Sequence, residues 1–346
     1  MNKTAVSIPL LLFACLFFSC AASVPGTGVG GQAEVLSEQG MSFNASGAKS
    51  GKEKERLYEK SADALFAKGD YEAAAQIYNK LLEENPPKKK KARYYVKLGD
   101  AEAAKKSYNK GLEYYKNALL LYKNDNEIRR KIGDILLESN LYGLAEQSFL
   151  DILSSDKNSD YAKKKLGDIY YKQKKYSKAL SYYEGVNSSY YDKDMITAMA
   201  FCYRSLSNTD KALKLTQEFI NVSPSSEMYF LSGLLLLDSG DFDKAEKMLL
   251  RSVNLDASNF SSYIYLSAVY LEKDDIDKAQ EMLKKANTIN SYTAAADIMS
   301  ARIAYKKGKI YEARRYASSA VLKSKTPFVK RQAEKMAAFL NKSKIR

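Results

Sequence analysis

The chain has 346 residues and a formal charge of +14, from 55 Lys and Arg against 41 Asp and Glu; it contains no histidine and no tryptophan. The missing histidine removes the commonest general base and the commonest neutral metal ligand. Beyond residue 20 the single thiol is Cys202, which leaves nothing for an internal disulfide framework or a zinc site in the body of the protein. Charge of this sign suits nucleic acid, an anionic membrane surface or acidic protein.

The first element in chain order is an export signal over residues 1–19. Lys3 supplies the positive start and Ala5 to Phe18 the apolar stretch, which is too short for a comfortable membrane span. Export sets nucleic acid aside as a partner. Leu16-Phe17-Phe18-Ser19-Cys20 resembles a relaxed bacterial lipobox, in which a small residue precedes the cysteine that receives lipid. The strict pattern has an aliphatic residue where Phe17 stands, and Leu16 sits one place early. Cys20 is the expected lipidation site, giving a lipid anchor in a membrane. Lipid at Cys15, or plain cleavage after Ala22 to give a soluble secreted protein, are the alternatives. Residues 20–54 are then a tether, rich in glycine and poor in aromatic residues, as flexible chains are.

From residue 55 the sequence repeats. Units begin near residues 55, 92, 126, 160, 193, 226, 260 and 294, with spacings of 37, 34, 34, 33, 33, 34 and 34. One site in the first half of each unit is always small: Ala62, Gly99, Gly133, Gly167, Ala200, Gly233, Ser267 and Ala301. Twelve residues on lies a second small series: Ala74, Gly111, Ala145, Ala179, Ala212, Ala245, Ala279 and Ala313. Two antiparallel helices approach closely only where side chains leave room. Four residues further come Tyr78, Tyr115, Phe149, Tyr183, Thr216, Leu249, Leu283 and Ala317, mostly large enough to fill the complementary space. The turns read Gly69-Asp70-Tyr71, Asn140-Leu141-Tyr142, Lys174-Lys175-Tyr176 and Gly240-Asp241-Phe242, and glycine or asparagine there suits a left-handed helix end. Pro86 and Pro224 stop second helices. Pro86-Pro87-Lys88-Lys89-Lys90-Lys91 accounts for the one long spacing and reads as a solvated loop, or as a contact for anionic lipid headgroups.

A period of 34 with these small sites resembles the tetratricopeptide repeat family over residues 55–327. Tyr58, Tyr95, Tyr229 and Tyr263 stand where the family's tryptophan is usual. The resemblance implies an all-α fold: a right-handed α-solenoid of about eight helix-turn-helix repeats. Val329, Ala333, Met336, Ala337 and Leu340 form one apolar face in 328–346, with Lys330, Arg331, Glu334 and Lys335 outside it; this is the expected C-terminal capping helix and tail.

The family also implies that first helices line a concave groove that holds a protein or peptide. Asp63, Asp100, Asp134 and Asp168 fall on that face, with Arg130 and Lys164 one helical turn before the last two. Phe230, Leu234, Leu237, Ile264, Leu271 and Ile298 fall there in the later repeats. The expectation is a groove charged in its N-terminal half and apolar in its C-terminal half, fit for an amphipathic helix or extended peptide. Local pairing of the aspartates with nearby cations, and packing of the apolar group between repeats, are the plainer alternatives. Aspartate at 100 and 134 departs from the asparagine of family members that clamp a chaperone's C-terminal carboxylate, and would repel that ligand. Cys202, between Phe201 and Tyr203, is expected to be a core thiol.

No catalytic, cofactor or metal site is expected. Ser107-x-x-Lys110 and Ser154-x-x-Lys157 match an acyl-transfer spacing, but with no supporting motif. The reading is a non-enzymatic adaptor or scaffold, held by lipid in a bacterial envelope, possessing a peptide or protein partner. Outer-membrane attachment facing the periplasm is preferred, because Ala21 is not the aspartate that retains enteric lipoproteins at the inner membrane; the inner membrane and the cell surface are the alternatives. A rival reading is a solute-binding or transporter-associated periplasmic component with a closed apolar cavity in its C-terminal repeats. Another is self-assembly through an exposed solenoid end, and the sequence leaves the oligomeric state open.

Overall fold

The computed structural model describes residues 51–342, with the side chain of Phe328 excepted. Among these, seventeen α-helices and one short 3-10 turn make up the regular structure. The signal, the lipidation site and nearly all of the tether lie outside the described residues.

The helices form pairs. They are α1 (Gly51–Ala67) with α2 (Tyr71–Glu83), α3 (Lys88–Ala104) with α4 (Tyr108–Leu121), α5 (Asn126–Glu138) with α6 (Tyr142–Ser155), and α7 (Asp160–Lys172) with α8 (Tyr176–Tyr183). Then come α9 (Lys193–Ser205) with α10 (Thr209–Val222), α11 (Ser226–Asp238) with α12 (Phe242–Leu255), α13 (Phe260–Glu272) with α14 (Ile276–Ile289), and α15 (Ala294–Lys306) with α16 (Ile310–Lys323). A last helix, α17 (Pro327–Lys342), closes the series. These are the eight expected repeats and the cap. Two boundaries move: α1 begins at Gly51, inside the expected tether, and Lys88–Lys91 are the first turn of α3 rather than a loop.

Every pair turns in the same way. Gly69, Lys106, Asn140, Lys174, Ser207, Gly240, Asp274 and Gly308 all have positive φ, between 59° and 85°. After each, the next N–H reaches back five residues to a first-helix carbonyl, as Asp70 does to Leu65 and Lys175 to Tyr170. This left-handed stop satisfies carbonyls that the helix end leaves over. Five of the eight positions are not glycine, so the turn is set by the packing of the two helices as much as by the residue in it.

The small sites do what their spacing predicts. A Cβ on Gly133 would come within 2.6 Å of Phe149 Cζ, and one on Gly233 within 2.6 Å of Leu249 Cγ; on Gly99 and Gly167 it would run into the rings of Tyr115 and Tyr183. The helix backbone thus lies directly on a large side chain of its partner. Ser267, the one polar member, donates its hydroxyl to the Ala279 carbonyl at 2.7 Å, so its burial leaves no unmet donor.

The chain divides into two compact units, one ending at Tyr191 and the other beginning at Asp192. The first ends where α8 is cut to eight residues and Gly185 and the 3-10 turn Ser188–Tyr190 follow. In the second, α17 buries Met336 and Leu340 against Ala301, Ala313 and Ala317, buries Ala333 as well, and leaves Lys330, Arg331, Glu334 and Lys335 exposed, as expected of a cap.

Candidate functional site

The first helices decide what each unit can offer a partner. In the N-terminal unit they are apolar on one side only. In α7, for example, Leu166, Gly167, Ile169 and Tyr170 are buried while the residues from Lys163 to Lys165 stay partly exposed. In the C-terminal unit they are buried over most of their surface: Ala198–Tyr203, Phe230–Leu235 and Ile264–Leu271 are each buried without a break, and the charged Arg204 and Arg302 are paired with Asp238 and Glu272 of neighbouring first helices. A helix with no polar stripe must be covered on every side. Accordingly the backbones of α9, α11, α13, α15 and α17 approach one another in succession, while those of α1, α3, α5 and α7 stand further apart and are bridged by side chains.

Phe230, Leu234, Leu237, Ile264 and Leu271 are at most 2% exposed, and Ile298 is 7% exposed. They fill the seams between first helices, with the Phe230 ring edge-on to Tyr265 at 5.3 Å, and do not line an apolar groove. This corrects the expected apolar half of the site. A solute cavity lined by them would need the same seams to open.

The aspartates take a different course. Asp63 accepts hydrogen bonds from Tyr78 at 2.6 Å and Lys97 at 2.9 Å. Asp100 accepts from Tyr115 and from Lys131, both at 2.7 Å. Asp168 accepts from Tyr183 at 2.7 Å. In the third repeat the second-helix residue is Phe149, which has no hydroxyl; Tyr161 donates to Asp134 instead, and Lys165 stands 3.1 Å away. Each of these lysines belongs to the repeat after its aspartate, so the ladder ties repeats together. Burial works against the charge on Asp63, but the bonds from Lys97 and Tyr78 outweigh it and hold the carboxyl below its ordinary value. Burial, then the aspartate, pushes Tyr115 and Tyr161 far up. Arg130 does not serve Asp134: it pairs with Glu127 and lies 4.8 Å over the Tyr161 ring. Lys164 is half-buried on the same face.

The constant fifteen-residue step from Asp63 to Tyr78, Asp100 to Tyr115 and Asp168 to Tyr183 was a signal for this ladder in the sequence. So was the lysine series Lys97, Lys131 and Lys165.

Between α3 and α5 the separated helices leave a cleft of about 710 Å³. Ala92, Val96, Tyr122 and Ile128 supply its apolar surface, and Lys89, Lys90, Arg93 and Lys131 its basic rim. This volume is in the range of ligand sites. Glu55 takes Lys90 at 2.6 Å and Glu59 takes Arg93 at 2.6 Å, yet the two cations remain 41% and 51% exposed. No motif points directly to this cleft, because it is made by what Val96 does not fill.

Cys202 is fully buried, and desolvation pushes its thiol up to about 12, so it is the expected core residue and not a nucleophile. The Ser154 hydroxyl donates to the Asp151 carbonyl at 2.7 Å, and Ser107 precedes the first residue of α4. Among the described residues no group of three His, Cys, Asp or Glu could hold a metal ion, and no helix is long and apolar enough to cross a membrane.

Comparisons with known proteins agree with this architecture. Tetratricopeptide repeat models match residues 55–88, 226–259 and 260–293, and a second such model matches 89–162 and 130–190. Together they span more than half of the chain. No curated protein matched the sequence. Among solved structures, the Cut9–Hcn1 assembly of the APC/C is 13% identical with a TM-score of 0.51, over 83% of this chain and 56% of that one. PilW, a widely conserved type IV pilus biogenesis factor, is 17% identical with a TM-score of 0.50, over 60% of this chain and 97% of its own. YrrB, a repeat protein with an unusual peptide-binding site, is 21% identical with a TM-score of 0.47, over 53% of this chain and 95% of its own. At these identities the likeness concerns the fold alone. The repeat matches, the paired helices and the small-site packing place the chain in the tetratricopeptide repeat family.

Proposed function

We propose that the protein is an adaptor of a bacterial cell envelope, anchored by lipid at Cys20, that recruits a peptide or protein partner on the first-helix face of its N-terminal unit. Family membership supports a protein-interaction scaffold. The observation that carries the finer reading is the contrast between first helices: those of the N-terminal unit leave an open cleft with a basic rim, and those of the C-terminal unit are sealed against one another. The lipobox-like Leu16–Cys20 and the glycine-rich stretch after it support a tethered body. Outer-membrane attachment facing the periplasm is the preferred location.

Two measurements test this. A photo-crosslinker placed at Arg130 in living cells is expected to give one dominant protein adduct, and the same probe at Leu144, which is 61% exposed on α6, is expected to give none. Equal labelling from both positions would remove the first-helix face as the site. Metabolic labelling with a palmitate analogue is expected to mark the wild-type chain and not Cys20→Ala; label retained in that variant would remove the anchor.

A further inference from the structure

The same two columns of the repeat have opposite contents in the two units. Val96 on α3 stands where Phe230 stands on α11, and Lys131 on α5 stands where Tyr265 stands on α13. In the C-terminal unit the two rings meet at 5.3 Å and close the seam between first helices. In the N-terminal unit both rings are missing, and Val96 and Lys131 are walls of the 710 Å³ cleft. The cleft is the space that an aromatic pair occupies elsewhere in the same molecule.

Its rim is mainly basic. The acids in its lining are Asp125 and Glu127. Asp125 caps α5, taking the backbone N–H groups of Glu127 and Ile128 at 2.9 and 3.2 Å, and Glu127 pairs with Arg130. Lys89, Lys90 and Arg93 lie on the first two turns of α3, whose own N-terminal dipole is positive and whose first turn carries no acid. Lys88 is also drawn to this edge, 5.3 Å from the Tyr122 ring. Glu55, Glu59 and Asp100 already offset Lys90, Arg93 and Lys131, which leaves Lys88 and Lys89 as exposed cations on a positive helix end where an incoming carboxylate is favoured.

From these observations we infer that the cleft between α3 and α5 is an anchor pocket for a phenylalanine or other large apolar side chain of a partner protein, flanked in that partner by Asp or Glu. The ring replaces the missing Phe230 equivalent against Val96, Ala92 and Ile128, and the flanking carboxylates meet Lys89, Lys90 and Arg93. This inference rests on the adaptor reading and names the chemistry of its partner.

The test is selection of short random peptides displayed on phage against the full chain, followed by binding of the enriched peptides to two variants. Val96→Phe fills the pocket with the protein's own ring, and Lys89→Glu reverses an exposed rim charge; circular dichroism and melting confirm that both are folded. Enriched peptides are expected to carry an aromatic or large aliphatic residue beside acids. They are expected to bind about tenfold or more weakly to Val96→Phe, as for loss of a buried anchor. They should lose a smaller factor with Lys89→Glu and weaken as salt rises. Enriched peptides that bind both variants like wild type would overturn the pocket and leave the adaptor reading standing. Peptides sensitive to Lys89→Glu and indifferent to Val96→Phe, or displaced equally from wild type and Val96→Phe by phosphatidylglycerol vesicles, would reduce the site to a basic surface and overturn the anchor. No enriched peptide at all would overturn both readings.

Discussion

The two units share one repeat and use its first helix in opposite ways. Column by column, Asp63, Asp100, Asp134 and Asp168 give way to Phe201, Leu234, Ala268 and Arg302, and Lys97, Lys131 and Lys165 to Leu231, Tyr265 and Met299. In the N-terminal unit, neighbouring repeats are joined on this face by tyrosine–aspartate–lysine bonds that keep some solvent access. In the C-terminal unit they are joined chiefly by buried apolar side chains, with the ion pairs Arg204–Asp238 and Arg302–Glu272 beside them. Long charged side chains bridge a gap without filling it, whereas apolar ones are stabilised only when the gap closes. The lesson is that a repeat can be spent on cohesion or on a surface, and this chain does each in a different half.

The comparison can be broken at its strongest point. Phe230→Ala should destabilise the C-terminal unit by about 3–5 kcal/mol, the range for a buried aromatic, while Val96→Ala, at the same repeat position, should fall well below that. Chemical denaturation of the two variants measures this, and equal losses would mean that the two seams are alike. Next in size is Gly133→Leu, which forces a side chain into the Phe149 ring and should cost about 1–3 kcal/mol or more through overpacking. A melting temperature equal to wild type would show that the small sites are not close contacts.

A finer test concerns the ladder. Asp100→Ala removes the acceptor for Tyr115 and the partner of Lys131 at a carboxylate that is 22% exposed, and should cost about 1–3 kcal/mol. Asp63→Ala, at a carboxylate 51% exposed, should cost less than about 1 kcal/mol in keeping with surface pairs. If the two losses were reversed, the ladder would not be graded by burial. The smallest effect is expected at the turns. Lys174 sits at φ 60°, and Lys174→Gly should stabilise by about 0.5–1 kcal/mol by removing left-handed strain, less the extra entropy of glycine in the unfolded chain. Gly240→Lys in the other unit should do the reverse, and opposite signs in the melting temperatures would sharpen the view that both units share one turn.

Much of the fold is legible in the sequence, because it depends on local volume. A helix that must lie against its neighbour needs a residue as small as Gly99, Gly133 or Gly167 at one place in thirty-odd residues. The cap was legible for the same reason: Ala333, Met336 and Leu340 recur at helical steps. The site was legible only in part. Placing Asp100, Asp134 and Asp168 on the first-helix face required the period alone, but their partners required knowing that Lys131 and Lys165 reach across from the next repeat. The lysine run reads as a loop because prolines precede it; a proline also starts helices well, since the first turn has no use for its missing N–H, and Pro87 stands at the start of α3.

Period, small sites, turn positions and cap followed from residue size and spacing along one chain. Whether Phe230, Leu234 and Ile264 faced a partner or each other, and whether Val96 closed a seam or left a cleft, depended on the distance between helices some thirty residues apart in sequence. That distance is set by the sum of contacts over whole helices, and no single column of the repeat encodes it.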